Sequence, residues 1–306
     1  MESTIMETPK VSVVTIAHNR AHLIGHTIES VRSQTLDDFE YILIDDASSD
    51  DTLKIIERHA SQDSRIRVFK NETILGQAIG INRYLSEIKG SYVAMLDSDD
   101  ISRPERLAKQ VEFLESNPDY GAVGCTFQLI DQQGSDIRIV RYPTSPILAK
   151  WNLFFSCSIM NSALMVRTEL LNQVGGYRDS FRFICDYELV TRLAEITKIR
   201  SLLDTLVEYR IHPNQMTHVF NPQQIFQASL LRCQLNSRWL GLIPKLHEHR
   251  DFIAALGEKK NTDRTLIPHH KSWLKKMETS FIERFKVDGD DLELLTQDVA
   301  KKFARL

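Results

Sequence analysis

The first half of the chain alternates short apolar runs with segments of helical periodicity. Runs rich in β-branched and aromatic residues predict four strands, at residues 11–17, 39–44, 66–69 and 92–96. Between them, apolar residues recur at helical spacing and predict three helices, at residues 21–33, 52–60 and 78–88. Strands that alternate with such helices are typical of crossover connections. The pattern therefore predicts an α/β fold with a mainly parallel, doubly wound sheet.

Polar loops follow three of these predicted strands, at residues 17–20, 45–51 and 97–104. In open α/β sheets, ligands bind at the edge formed by the carboxyl ends of the strands. The three loops are therefore the first candidates for a binding site.

The pattern becomes irregular after about Pro143. The apolar run at residues 151–165 predicts a segment that contains a strand. A helix at 187–195 and a strand at 205–209 are predicted after it. Beyond Asn221 the periodicity is almost wholly helical. We therefore expect one α/β unit with a helical extension at its C-terminal end.

The extension contains two amphipathic segments, at residues 225–239 and 269–285. Four residues of the second form an apolar stripe: Trp273, Met277, Phe281 and Phe285. Five basic residues flank the stripe: Lys271, Lys275, Lys276, Arg284 and Lys286. One hypothesis is a basic surface that contacts an anionic membrane peripherally. We expect instead that the stripe packs within the chain or forms a homodimer contact, because amphipathic helices usually face a core.

The composition, with 42% hydrophobic and 26% charged residues among 306, is that of an ordinary soluble protein. No apolar run approaches the roughly 18 residues that span a bilayer. The N-terminal segment 1–10 is polar and lacks the apolar core of a signal peptide. Four cysteines lie far apart in the sequence: Cys125, Cys157, Cys185 and Cys233. Reduced thiols in a cytoplasmic protein are the expectation.

The net charge of −3 is unevenly distributed. Residues 1–220 carry a net charge of −7, whereas residues 221–306 carry +4. An acidic body of this kind argues against nucleic-acid binding through a broad basic face. Clustered carboxylates are better suited to a divalent metal ion.

Two nucleotide-binding motifs are absent from the sequence. No G-x-G-x-x-G follows the first predicted strand, and no G-x-x-x-x-G-K-[ST] occurs anywhere. Asp97, Ser98, Asp99 and Asp100 instead follow the fourth predicted strand. Carboxylates at alternate positions of an extended segment point the same way and suit Mg²⁺ or Mn²⁺ beside a phosphate. The alternative is an acidic turn in which Asp100 or Ser102 caps the next helix.

Three further positions are candidates for site chemistry. Asp45 and Asp46 end the second strand, where a carboxylate can accept a hydrogen bond from a nucleobase or a ribose. Asp186 lies at the start of a predicted helix, either as a functional carboxylate or as a helix cap. His212 alone would be more typical of a structural or surface histidine.

Seven sequence blocks, in this order, resemble glycosyltransferase family 2, whose members are inverting enzymes with a GT-A nucleotide-diphospho-sugar transferase fold. The resemblance extends from Lys10 to His218. The blocks are VSVVTIAHNR, SVRSQTLDDFEYILIDDASSDDT, LGQAIGINRYL, KGSYVAMLDSDDISRPERL, VGGYRD, CDYELVTRL and YRIHPNQMT.

The resemblance implies a role for each matching position. Asp186 matches the catalytic base. Asp97, Asp99 and His212 match positions that hold a divalent metal, Mn²⁺ or Mg²⁺, with Asp99 as the direct ligand. The implied donor-binding positions are Ala17, His18, Asn19, Asp46, Gly76, Asn82, Asp97 and Ser98. Asp46 would face the uracil N–H in enzymes that use UDP-sugars.

Three positions depart from the family pattern. Cys185 stands where the family often has Glu before the base. Ile81 stands before Asn82, where many members carry Arg, so one diphosphate contact is in doubt. His18 replaces a common Tyr or Phe and can still stack on the base.

The expected reaction is a metal-assisted single displacement from a nucleotide-diphospho-sugar, with a UDP-sugar favoured, to a hydroxyl on a saccharide or lipid-linked acceptor. Two alternatives stay open: a nucleotidyltransferase of related fold and an inactive nucleotide-sugar-binding scaffold. The expected domains are a GT-A catalytic domain at residues 1–220 and a helical extension at 221–306. Within the first, residues 10–100 would bind the nucleotide and 101–220 the acceptor. We expect a cytoplasmic protein, with peripheral contact at the inner membrane face as the alternative.

Overall fold

One mixed sheet organises the computed structural model, which describes residues 8–213, 215–257 and 264–306. Segment 1–7, most of the polar N-terminus, and Asn214 of the last sequence block lie outside the described residues. The strands are β1 (Val11–Ala17), β2 (Phe39–Asp46), β3 (Ile66–Asn71), β4 (Tyr92–Met95), β5 (Ile101–Ser102), β6 (Tyr120–Ile130), β7 (Asp136–Val140), β8 (Met165–Arg167) and β9 (Lys198–Arg210).

The strand order is β3-β2-β1-β4-β8-β6-β9-β5, and β7 pairs with β6. Strands β1 to β4 are mutually parallel, with Val11 opposite both Phe39 and Tyr92. β8 then pairs antiparallel with β4 and β6, whereas β9 is parallel to β6. The predicted α/β fold is confirmed, and its parallel part is the first half of the chain. The second half adds antiparallel strands, which make the whole sheet mixed.

Helices cover the sheet and form the C-terminal part of the chain. They are α1 (Ile24–Arg32), α2 (Thr52–Ala60), α3 (Gly76–Asn82), α4 (Arg106–Ser116), α5 (Pro146–Asn152), α6 (Thr168–Gln173), α7 (Cys185–Ile196), α8 (Met216–Val219), α9 (Asn221–Leu240), α10 (Leu246–Leu256), α11 (Ile267–Phe285) and α12 (Gly289–Arg305).

The run 151–165, predicted to contain a strand, holds only the first residue of one. Trp151 belongs to helix α5, a 3₁₀ turn spans Asn161–Ala163, and strand β8 starts only at Met165. Trp151 and Phe154 are buried against the C-terminal helices, on which they contact Phe281. A segment covered on several sides is apolar throughout whatever its secondary structure, so its composition alone does not indicate a strand.

The C-terminal helices share a core with the rest of the chain. Met277 and Phe281 on α11 are fully buried in the cluster that also holds Trp151 and Leu193. The Trp151 indole N–H donates to Asp298 of α12 at 2.9 Å. The expected packing of the apolar stripe within the chain is thus observed, while a homodimer contact stays a prediction. None of the helices in the described ranges has the length and apolarity needed to cross a membrane.

Candidate active site

A cavity of about 670 Å³ opens at the carboxyl ends of β1, β2 and β4. Its lining includes His18 and Asp46 and, from the loop after β4, Asp97 and Asp99. Asp186, from the first turn of α7, lines the same cavity. The parallel topology brings the three predicted loops to one edge, because the carboxyl ends of parallel strands meet there. The cavity therefore joins the candidate acidic residues of both halves of the chain.

Asp97 begins the acidic loop, two residues after the end of β4. Its Oδ1 accepts hydrogen bonds from Asn161 Nδ2 at 2.7 Å and Gln77 Nε2 at 3.3 Å. Its backbone N–H donates to Ser162 Oγ at 3.0 Å. Burial, followed by the negative charge of Asp99, raises the pKa of Asp97 to about 7. This carboxylate is thus tightly held in a region that favours a compensating positive charge.

The Asp99 carboxylate contacts two nitrogen-bearing side chains, those of His212 and Arg20. Its Oδ2 lies 2.9 Å from His212 Nε2 and 3.4 Å from Arg20 Nε. The structure thus brings together Asp99 and His212, two of the three predicted metal ligands. No group of three His, Cys, Asp or Glu side chains in the described ranges is arranged to hold a metal by itself.

Asp100 does not cap the following helix. Helix α4 begins at Arg106, its N-cap residue is Glu105, and no side chain caps it, so the capping alternative is wrong for Asp100 and Ser102. The Asp100 carboxylate instead accepts hydrogen bonds from Ser162 and from the backbone N–H of Arg210. Asp100 thereby ties the acidic loop to the end of β9, two residues before the metal candidate His212.

Asp186 is not the cap of α7, because the N-cap position is Ile184. Desolvation by the surrounding protein raises the pKa of its carboxyl, although the backbone N–H groups of Tyr187 and Asn161 act in the opposite direction. A raised pKa is a common property of a carboxylate that exchanges protons during catalysis. Its position on the cavity wall makes it accessible to a bound ligand.

Asp46 is buried and already holds three protein donors. Asn71 Nδ2 and the backbone N–H of Leu75 donate to its Oδ1, at 2.8 and 3.0 Å. The N–H of Gly76 donates to its Oδ2 at 2.8 Å. Gly76 adopts a φ of 75°, and both Asp46 and Gly76 line the cavity. Contact of Asp46 with a nucleobase stays a prediction, and the geometry adds a second role in fixing the loop before α3.

In the loop after β1, one residue lines the cavity and its neighbours hold the shape of the loop. His18 lines the cavity, and its Nδ1 lies 2.8 Å from the carbonyl oxygen of Asp46. Asn19 has a φ of 52°, and its Oδ1 accepts the backbone N–H of Ser49 at 2.9 Å. Ala17 is buried at the end of β1 and does not line the cavity. Ala17 and Asn19 thus shape the loop, and His18 is its cavity-facing member.

Ser98 lines the cavity as predicted, whereas Asn82 lies outside its lining. Both ends of the Asn82 amide bond to the backbone of Tyr177. Direct donor contact by Asn82 is therefore unsupported by its position.

Several cavity-lining residues received no role from the sequence, among them Arg20, Gln77 and Asn161. Arg20 lies in the sequence block VSVVTIAHNR, whereas Asn161 has neither a charge nor a motif spacing that would single it out. An uncharged amide in an apolar run carries no signal of this kind in one sequence.

The comparisons with known proteins agree with this geometry. The model of the family described as "Glycosyl transferase family 2" matches residues 12–171. The chain belongs to glycosyltransferase family 2. The O-antigen biosynthesis glycosyltransferase WbnJ of Escherichia coli is 32% identical over 66% of this chain and 80% of its own length. The protein is thus a glycosyltransferase, and the alternative of a nucleotidyltransferase falls away.

Two solved structures share the fold. S. aureus TarS 1–349 in complex with UDP-GlcNAc superposes with a TM-score of 0.60 at 18% identity, covering 97% of this chain and 89% of that one. The mannosyltransferase PcManGT of Pyrobaculum calidifontis, in complex with GDP-Man and Mn²⁺, has a TM-score of 0.60 at 17% identity, covering 96% and 80%. These likenesses confirm the GT-A fold.

Proposed function

We propose that this family 2 enzyme transfers a sugar from a nucleotide-diphosphate donor to an acceptor hydroxyl in one displacement, with inversion at the anomeric carbon. The observation that carries the proposal is the single cavity lined by Asp97, Asp99 and Asp186. The two carboxylates proposed to lie beside the donor and the proposed base thus line the same cavity. The name of the relative WbnJ supports a place in the synthesis of surface polysaccharide or another glycoconjugate.

Asp186 is the proposed general base. As the acceptor oxygen attacks the anomeric carbon, its proton passes to the Asp186 carboxylate, and the donor's nucleoside diphosphate leaves with the bonding electrons. A positioned base of this kind contributes about 10²–10⁴-fold to the rate. The raised pKa of Asp186 suits this role, because it makes the carboxylate a stronger proton acceptor.

The residues present fit a divalent metal ion. Asp99 and His212 offer one oxygen and one nitrogen donor in direct contact, and Asp97 adds a buried carboxylate whose pKa is raised to about 7. Sites for Mg²⁺ or Mn²⁺ often use few protein ligands together with phosphate oxygens of the substrate. Asp97, Asp99 and His212 would hold the ion, which when bound neutralises negative charge on the leaving diphosphate. The PcManGT complex with Mn²⁺ supports this assignment.

A UDP-sugar is the favoured donor. Two solved neighbours were obtained with nucleotide-sugars, UDP-GlcNAc in TarS and GDP-Man in PcManGT. On this chain, His18 would contact the nucleobase together with Asp46, and Gly76 and Ser98 would lie beside the rest of the donor. The sugar would then extend towards Asp186 on the opposite wall.

The acceptor is a saccharide or a lipid-linked glycan. The cavity lining includes the apolar residues Met216, Val219 and Phe220, which are exposed. Such a lining suits the apolar face of a sugar ring or the hydrocarbon near a lipid-linked one. A cytoplasmic enzyme with peripheral membrane contact, or a homodimer through the C-terminal helices, is compatible with either acceptor.

The test begins with the donor. A ligand that binds only the folded protein raises its stability by RT ln(1 + [L]/Kd). Thermal unfolding is therefore measured with UDP-, GDP- and dTDP-sugars, each with and without Mn²⁺. We expect stabilisation by UDP-sugars that increases when Mn²⁺ is present. Stabilisation by GDP- or dTDP-sugars alone would contradict the donor assignment.

Turnover then separates an enzyme from a scaffold. Release of UDP from the selected donor is measured for the wild type, for Asp186→Asn and for the control Asp204→Asn, an exposed carboxylate paired with Lys109. We expect metal-dependent release that falls about 10²–10⁴-fold in Asp186→Asn and stays near wild type in the control. Near wild-type release by Asp186→Asn refutes the base, and binding without turnover by any protein favours the scaffold.

A further inference from the structure

A short 3₁₀ turn, Asn161–Ala163, precedes β8, and its first residue lines the cavity. Asn161 is 5% exposed, and both ends of its side-chain amide are occupied. Its Nδ2 donates to Asp97 Oδ1 at 2.7 Å, and its Oδ1 accepts the Tyr177 hydroxyl at 2.8 Å. Its backbone N–H also stabilises the ionised form of Asp186. Asn161 thus links the Asp97 carboxylate to Tyr177.

The Asp97 carboxylate sets the orientation of the Asn161 amide, and the Tyr177 hydroxyl holds the other end of that amide. Asn161 Oδ1 can only accept, so the hydroxyl must donate to it, and Nδ2 is then directed at Asp97. In the flipped orientation, Oδ1 would face the Asp97 carboxylate, and two acceptors would stand opposite each other. Without the hydroxyl, Asn161 Oδ1 has no partner among the described residues, so the amide is held only through Nδ2 and can swing away from Asp97.

Tyr177 is itself held in place by Asn82, the residue to which the family resemblance gives a donor-binding role. Asn82 Oδ1 accepts the Tyr177 backbone N–H at 2.9 Å, and Asn82 Nδ2 donates to the Tyr177 carbonyl at 2.7 Å. The preceding Gly176 has a φ of 66°, and a Cβ there would overlap the Asn82 side chain. A chain of hydrogen bonds thus leads from α3 through Tyr177 and Asn161 to Asp97.

We propose that Asn161 is a positioning residue that fixes the Asp97 carboxylate at the cavity, and that Tyr177 acts through Asn161. The inference rests on the proposed role of Asp97. Gln77 provides a second, longer hydrogen bond to the same Asp97 oxygen, at 3.3 Å, so the loss of Asn161 loosens Asp97 without releasing it. A misplacement of about 1 Å in an active site can lower the rate about 10²-fold.

The test compares kcat and the donor KM, measured by UDP release, for Tyr177→Phe, Asn161→Ala and the double variant. We expect Tyr177→Phe to lower kcat about 10-fold or more and to change the donor KM less than about threefold, because the misplacement affects reacting groups more than donor contacts. Asn161→Ala is expected to lower kcat at least as much. The double variant should be no slower than Asn161→Ala, because a residue that acts only through Asn161 has no effect once Asn161 is gone.

Tyr92→Phe is the matched control. Tyr92 is also buried, at the start of β4, and its hydroxyl bonds to Arg167 away from the cavity. It should lose about as much thermal stability as Tyr177→Phe but keep wild-type kcat. If Asn161→Ala fails to fold, Asn161→Ser replaces it in the comparison of single and double variants.

Wild-type kcat in Tyr177→Phe, or an equal loss in Tyr92→Phe, overturns the inference. So do multiplicative losses in the double variant, because they would mean that the two residues act independently. Failure of the proposed function is distinguishable, since Asp186→Asn would then retain turnover, whereas failure of the positioning role alone leaves Asp186→Asn inactive.

Discussion

Acidification is expected to destabilise the C-terminal helices through His249. This histidine lies on α10, is 1% exposed, and its Nε2 is 3.2 Å from the side-chain nitrogen of Asn236. That nitrogen can only donate, so Nε2 must accept and stay unprotonated. The Nδ1 atom is buried without a described hydrogen-bond partner. Burial, and to a smaller extent the charge of Arg232, lowers the pKa of His249 to about 4.

The sign and size of the effect follow from this pKa. An unfolded histidine titrates near 6.5, so the unfolded state binds the extra proton first as the pH falls. The stabilisation is complete above the unfolded pKa and is lost as the pH decreases towards the folded one. The interval between about 4 and 6.5, at about 1.36 kcal/mol per pH unit, corresponds to about 3 kcal/mol.

The measurement is urea unfolding of the wild type, His249→Gln and His247→Gln at about pH 7.5 and about pH 4.5. A glutamine at 249 can still accept from Asn236 and does not titrate. His247 is the control, since it lies two residues away with a side chain that is 67% exposed. Other groups that titrate in this range, among them His59 and His270, are common to all three proteins.

We expect the loss of unfolding free energy between the two pH values to be about 2–3 kcal/mol smaller in His249→Gln than in the wild type. The control should follow the wild type. Equal losses in all three proteins would refute the reasoning, because they would mean that His249 is protonated in the folded state as readily as in the unfolded one.

Two further predictions concern packing. Phe281→Ala should lower the free energy of unfolding by about 3–5 kcal/mol in chemical denaturation, because it empties a fully buried site. Phe226→Ala, at a residue that is 57% exposed, should cost much less, and similar losses would contradict the shared core. Gly90→Ala should be far more destabilising than Gly175→Ala, since a Cβ at 90 overlaps the backbone of Ser12. At Gly175 the cost is only about 1–2 kcal/mol for a φ of 75° in open space, and the reverse order would refute this account.

The first half of the fold follows from local patterns. The helix predicted at 52–60 is observed as Thr52–Ala60, and the strands β1 to β4 all start where their apolar runs start. The helix predicted over 78–88 instead ends at Asn82, whose side chain is bonded to Tyr177. The contact joins residues 95 positions apart, and no local pattern carries that information.

The part of the sheet that follows β4 was harder to predict because strand β6 is buried on both faces. Strand β6 spans Tyr120–Ile130 and is buried at every position after the first. Its residues therefore do not alternate between apolar and polar, which removes the signal that identifies a half-buried strand. Burial without alternation also explains why the position of the strand within residues 151–165 was not predicted.

In the candidate site, the acidic residues could be predicted and the amides could not. Asp97, Asp99 and Asp186 are charged residues next to apolar runs, so each stands out in the sequence. Asn161 acquires its place only through Asp97, 64 positions earlier, and through Tyr177. A positioning residue of this kind is defined by contacts that the folded chain creates.

The aromatic packing between α5 and α11 has a consequence for how the chain is synthesised. Trp151 and Phe154 leave the ribosome well before Phe281, their partner in the core. At about 5–20 residues per second, the 127 residues from Phe155 to Phe281 take on the order of 10 s to translate. For that interval the nascent chain presents uncovered aromatic surface of the type that chaperones bind. Codon changes that slow translation between these positions should therefore lengthen chaperone occupancy of the nascent chain.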